Sequence, residues 1–82
     1  MNIPFYRNLY IFDQGGRLQV EYFDYGTFTQ VVISQERDNM LILGSGADKL
    51  RKRAFHKAYE QFKQREHRSF ITASIGERQI KL

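Results

Sequence analysis

Three observations predict an α+β fold for this chain: an antiparallel β-meander of about four strands, one long amphipathic basic helix packed on one face, and a short C-terminal strand. Apolar residues alternate at a period of two through the first half. Clusters of Gly, Asp and Asn interrupt them at regular intervals. The period then lengthens to that of a helix in a segment rich in Lys and Arg. With 82 residues, residues 1–82 form one small domain that buries only about 60 to 65 % of its unfolded surface.

The first strand spans about 5–12, where Phe5, Tyr6, Leu9, Tyr10, Ile11 and Phe12 make both faces apolar. Asp13-Gln14-Gly15-Gly16 follows, with glycines able to take positive φ, so a hairpin is expected there. The second strand, 17–23, sets Leu18, Val20 and Tyr22 on one face and Arg17, Gln19 and Glu21 on the other, as a half-buried strand requires. Asp24-Tyr25-Gly26-Thr27 turns the chain into a third strand at 28–34, and Glu36-Arg37-Asp38-Asn39 into a fourth at 40–43. Gly44-Ser45-Gly46 is expected to end the sheet, and Ser45 with Asp48 resembles a capping box that starts the helix near 47.

Over 47–66, a step of 100° per residue stacks Leu50, Ala54, Ala58 and Phe62 in one row, with Ala47, Phe55 and Tyr59 beside it. That stripe covers the sheet. Ser69 to Ser74, with Ile75 behind it, reads as a fifth strand at 69–75, and Gly76-Glu77 could turn into a last short strand at 79–82.

Composition limits the function. The chain has no Cys, hence no disulfide framework, thiolate zinc site or cysteine nucleophile. The N-terminal residues lack a basic segment followed by an apolar one, and nowhere do eighteen apolar residues run together. A soluble cytoplasmic protein with no membrane contact is expected. The net charge of +4 is divided unevenly: residues 1–48 carry three Lys/Arg against six Asp/Glu, and residues 49–82 carry ten against three. A basic block on one element is the usual footprint of a polyanion partner.

The arc of the helix opposite its apolar stripe collects Lys49, Lys52, Arg53, His56, Lys57, Lys63 and Gln64 against the single carboxylate Glu60. Ordinary surface helices mix signs at i,i+4, whereas here five cations have almost no neutralising partner on their own arc. Arg65 and Arg68 extend the row. The expected partner is a DNA or RNA backbone, with an acidic protein surface or plain solvent as the alternatives.

Other candidates point elsewhere. Gly44-Ser45-Gly46 before a helix could hold a phosphate, but it matches neither phosphate-binding glycine fingerprint, and Asp48 sets a negative charge where the phosphate would lie, so no cofactor is expected. His56 and Glu60 have the spacing of a shared metal or proton, yet Lys52, Lys57 and Lys63 surround them and oppose a divalent cation, so no metal site is expected; a nuclease centre built from His56 with Arg53 or Lys57 is a minor alternative. Tyr6, Tyr10, Phe12, Phe23 and Tyr25, with Phe28, exceed what one sheet face needs to cover one helix. Acidic residues among them argue against base stacking and for a protein interface, either with a second copy through the sheet or with another protein. The sequence therefore predicts a small non-enzymatic nucleic-acid-binding protein using a basic helix face. The alternative is a protein-binding inhibitor or adaptor, of the kind a phage or mobile element encodes, aimed at a nucleic-acid-processing enzyme.

Overall fold

Strands β1 (Phe5–Asp13), β2 (Gly16–Asp24), β3 (Thr29–Arg37) and β4 (Met40–Asp48) form one antiparallel sheet in the order β1-β2-β3-β4, and helix α1 (Arg51–Ile80) follows them. The computed structural model describes residues 3–80, and the side chains of residues 3–67. The α+β meander expected from the alternating pattern is the observed fold.

The turns form where the sequence supplies the right residues. Asp13 accepts a hydrogen bond from the Gly15 N–H at 2.8 Å, and Gly16 takes the positive φ, 111°, that ends the first turn. Asp24 accepts from the Gly26 N–H at 2.9 Å in the second turn, in the same manner. Asp38 and Asn39, at φ 51° and 64°, make a two-residue turn between β3 and β4; positive φ at both central residues is the type I′ arrangement that suits the twist of a hairpin.

Pairing brings Leu9 opposite Val20 and Ile11 opposite Leu18, with Val20 opposite Ile33, so these side chains share one face. Ala54, Ala58 and Phe62 of α1 bury against that face together with Val31 and Ile42. Fully burying each large side chain contributes about 1.5 to 3 kcal/mol. The helix lies over β3 and β4, and Phe55 and Tyr59, stacked at 6.0 Å, reach from it toward Leu9, Ile11 and Tyr22.

Gly44 and Gly46 are strand residues, not the end of the sheet. β4 continues through them to Asp48 because the helix backbone rests on them. A Cβ at Gly46 would lie 2.7 Å from Ala58 N and 2.8 Å from Ala54 O; one at Gly44 would strike Ala58 O and Phe62 N and lie 2.7 Å from Phe62 Cα. Glycines on the strand and alanines on the helix thus allow direct backbone contact.

Helix α1 consequently starts at Arg51 rather than near 47, and the expected capping box does not form. Asp48 instead accepts from the Leu50 N–H at 3.1 Å, and the Ser45 N–H is bound by Gln61 at 2.8 Å. The strand expected at 69–75 is a further correction: α1 runs without a break to Ile80, which also takes in 79–80, while 81–82 lie outside the described residues. A short apolar run has no decisive period, and extending an existing helix costs far less than nucleating a new element.

Candidate nucleic-acid interface

The acidic and basic halves of the chain meet across the sheet and helix. Lys57 Nζ lies 2.9 Å from Asp48 Oδ2, Lys63 Nζ 3.3 Å from Asp13 Oδ2, and Arg51 Nη2 3.5 Å from Asp24 Oδ2. One pair has the opposite sense, with Arg37 Nη2 of β3 2.8 Å from Glu66 Oε2 of α1. Part of the charge asymmetry is therefore internal complementarity.

This neutralisation sorts the predicted stripe. Lys63 also donates to Glu66 at 3.1 Å and lies over the Tyr59 ring. Glu66 and Asp13 raise its pKa above the ordinary lysine value despite partial burial. At Asp13 desolvation pushes the pKa up, but the Gly15 N–H, Lys63 and the Tyr59 hydroxyl outweigh it and hold the carboxyl below its usual range. The Leu50 N–H and Lys57 hold Asp48 low in the same way. Lys57 and Lys63 are thus fastened to the sheet.

Arg65 is committed to the main chain of β4. In the antiparallel ladder Leu43, Ser45 and Ala47 direct their backbone groups away from β3, at the edge of the sheet. Arg65 donates to Leu43 O at 3.0 Å, Gln61 accepts from the Ser45 N–H, and Lys57 donates to Ala47 O at 3.2 Å. Four helical residues rise about 6.0 Å and two strand residues about 6.8 Å, so positions 57, 61 and 65 match alternate residues of a strand running the other way. The helix seals this edge.

What remains exposed is a cluster at the start of α1. Lys49, Lys52, Arg53 and His56 are exposed, and among the described residues Lys49, Lys52 and Arg53 have no ion-pair partner. The first turn carries Arg51, Lys52 and Arg53 and no acidic residue. Cations there oppose the positive end of the helix dipole. The side chain of Arg68 lies outside the described side chains.

The aromatic residues separate into two groups. Tyr6, Tyr10, Phe12 and Phe23 lie on the sheet face away from the helix, whereas Tyr25 stacks on Phe28 in the second turn at 4.8 Å. Tyr6 packs on Phe23 at 5.2 Å and donates to Glu21 at 2.8 Å, which raises the tyrosine pKa. Arg17 covers the Tyr10 ring at 4.7 Å. Between these aromatics and Leu41 and Leu43 at the opposite edge, the face carries Gln19, Glu21, Gln30, Ser34 and Glu36. A groove of about 660 Å³ on this face, lined by Tyr10, Arg17, Gln19, Ser34, Glu36 and Leu41 among others, has one cation and one carboxylate among the residues named here.

No protein-family model, curated protein or solved structure matches this chain. Its own geometry must then carry the functional reading. Among the described residues no group of three His, Asp or Glu side chains is placed to hold a metal ion, and His56 and Glu60 acquire no third ligand. No helix among the described residues is long and apolar enough to cross a membrane.

Arg51, Leu41 and Leu43 were absent from the sequence-predicted sites. At 100° per residue Arg51 falls inside the apolar stripe, between Ala58 and Phe62, so the basic arc does not include it. The leucines sit at alternate positions of a strand whose outward face only the pairing register reveals.

Proposed function

We propose that this protein binds nucleic acid without catalysis, gripping the backbone through Lys49, Lys52 and Arg53, with Arg51 and His56 at the margin. The observation that supports this reading is the unbalanced first turn of α1. Three consecutive cations stand at the end of the helix where the dipole favours anions; the sheet supplies the 3.5 Å contact from Asp24 to Arg51 and the nearby carboxylate of Asp48, which is itself paired with Lys57. An external polyanion relieves that repulsion, and the phosphates of a nucleic-acid backbone are bound by Lys and Arg in this way. Lys57 and Lys63, which the helical wheel assigns to the same grip, and Arg65, which extends it in the sequence, bond to the sheet instead.

The test is binding of a labelled mixed-sequence duplex across a salt series. Three to four phosphate contacts give a slope of about −3 to −4 in log K against log salt. Lys52→Glu combined with Arg53→Glu removes binding, while His56→Ala leaves it largely intact. No binding at the lowest salt overturns the reading and transfers the cluster to an acidic protein surface.

A further inference from the structure

The two edges of the sheet are treated differently. Side chains of α1 occupy three of the outward backbone groups of β4, Leu43 O, the Ser45 N–H and Ala47 O, but the helix does not extend over β1. Alternation of the ladder turns Phe5, Arg7, Leu9, Ile11 and Asp13 toward β2 and leaves the main-chain groups of Tyr6, Asn8, Tyr10 and Phe12 facing outward. Nine residues long, this edge has no Lys, no Pro and no bulge, and its two charged residues, Arg7 and Asp13, turn their main-chain groups toward β2. It is also rich in exposed apolar surface, with Phe5 at 70 % and Phe12 at 77 % exposure.

We propose that a second copy of this chain pairs antiparallel along β1, about a two-fold axis through Leu9, to make a continuous eight-stranded sheet. The proposal stands independently of nucleic-acid binding. Self-pairing is favoured by register. Centred on Leu9, the two-fold sets Tyr6 opposite Phe12 of the second copy and Asn8 opposite Tyr10, so all four outward residues enter hydrogen-bonded pairs, about eight main-chain bonds in total. Centring on Asn8 puts Pro4, which has no N–H, opposite Phe12, and centring on Tyr10 pushes Tyr6 against the turn. Only the Leu9 axis uses the whole strand.

Side chains and charge agree with that register. Tyr6 and Phe12 form cross-strand aromatic pairs on the open face, and Leu9 meets its own copy in the closer, non-hydrogen-bonded type of pair on the helix face. Arg7 and Asp13 are the only charged residues of β1, so the strand is neutral, and no like charges stand opposite one another. The basic cluster begins beyond β4 in the chain, so two chains of net charge +4 meet along strands of no net charge. An axis normal to the sheet keeps both helices on one face, about six strand spacings or 29 Å apart before twist.

Sedimentation velocity from micromolar to millimolar protein tests the pairing. The expected species has twice the chain mass of 9.8 kDa. Asn8→Pro removes an outward N–H without touching the β1–β2 ladder and is expected to give a folded monomer. Because the chain has no Cys, Leu9→Cys reports register directly: it forms an intermolecular disulfide on mild oxidation, while Tyr6→Cys, about 20 Å from its copy, does not. If Asn8→Pro lacks native circular dichroism, the cysteine pair decides alone. A chain that stays at 9.8 kDa throughout, a dimer that survives Asn8→Pro, or crosslinking at Tyr6 in place of Leu9 each overturns the proposal.

Discussion

Replacing Gly44 with alanine adds one methyl group and is expected to cost more than most surface changes of any size. The three atoms nearest the added Cβ, Ala58 O, Phe62 N and Phe62 Cα, all belong to the helix backbone and cannot rotate out of its way. Restoring ordinary contact, 3.4 Å, at Phe62 Cα from 2.7 Å lifts the helix by about 0.7 Å, and the other two atoms demand more. A lift of about 0.7 to 1 Å beneath the two turns from Ala54 to Phe62, roughly 12 Å long and 10 Å wide, opens about 80 to 120 Å³. At about 24 cal/mol per Å³ of cavity this costs about 2 to 3 kcal/mol. Lower entropy of the unfolded chain offsets about 0.4 to 1 kcal/mol. With a urea m-value near 1 kcal/mol per M for so short a chain, the unfolding midpoint falls by roughly 1 to 2.5 M. Ser45→Ala, whose side chain faces away from the helix, changes stability by less than about 0.5 kcal/mol. A Gly44→Ala midpoint equal to or above that of the unaltered chain would refute direct backbone contact between α1 and β4.

Three further outcomes follow from the ion pairs and the sealed edge. Asp13 and Asp48 titrate below the ordinary carboxylate value of 3.8 when folded, so the unfolded chain takes up protons first on acidification. Their stabilisation is complete above about pH 5 and is lost as pH falls through 3.8 and the lower folded values; Tm therefore drops as pH falls below about 5, and Asp13→Asn flattens that drop. Lys63→Met costs about 1 kcal/mol after discounting for its 40 % exposed side chain, with little change in nucleic-acid affinity. Lys52→Met does the reverse, so equal effects of the two in melting and binding assays would contradict their assignment to different tasks. Gln61→Ala strips the Ser45 N–H of its partner and is expected to raise light scattering on incubation, with little loss of Tm.

The strands and turns were legible because alternation and turn chemistry are local. Leu18, Val20 and Tyr22 against Arg17, Gln19 and Glu21 state which face is buried before any pairing is known. The glycines of β4 were not legible, since Gly-Ser-Gly is ordinarily a breaker and only the approach of α1 makes a residue without Cβ necessary at both positions. The helical wheel found the buried row of Ala54, Ala58 and Phe62. It could not show that two cations of the opposite arc pair with the sheet, because Asp13 and Asp48 lie 50 and 9 residues from the lysines they hold. Beyond residue 67 the apolar run at 69–75 offered no way to choose strand over helix.

The sealing of β4 by Lys57, Gln61 and Arg65 has a consequence for biosynthesis. All four strands precede the helix in the chain, so a nascent polypeptide ending near Asp48 has every strand but none of the side chains that bond the last edge. The residues that close it are added about one to three seconds later at 5 to 20 residues per second. During that interval the emerging sheet can pair with a neighbouring chain on the same messenger at either side, and a product truncated before Lys57 stays in that condition permanently. The helix thus serves as a stop to polymerisation, delivered last and acting on one edge alone.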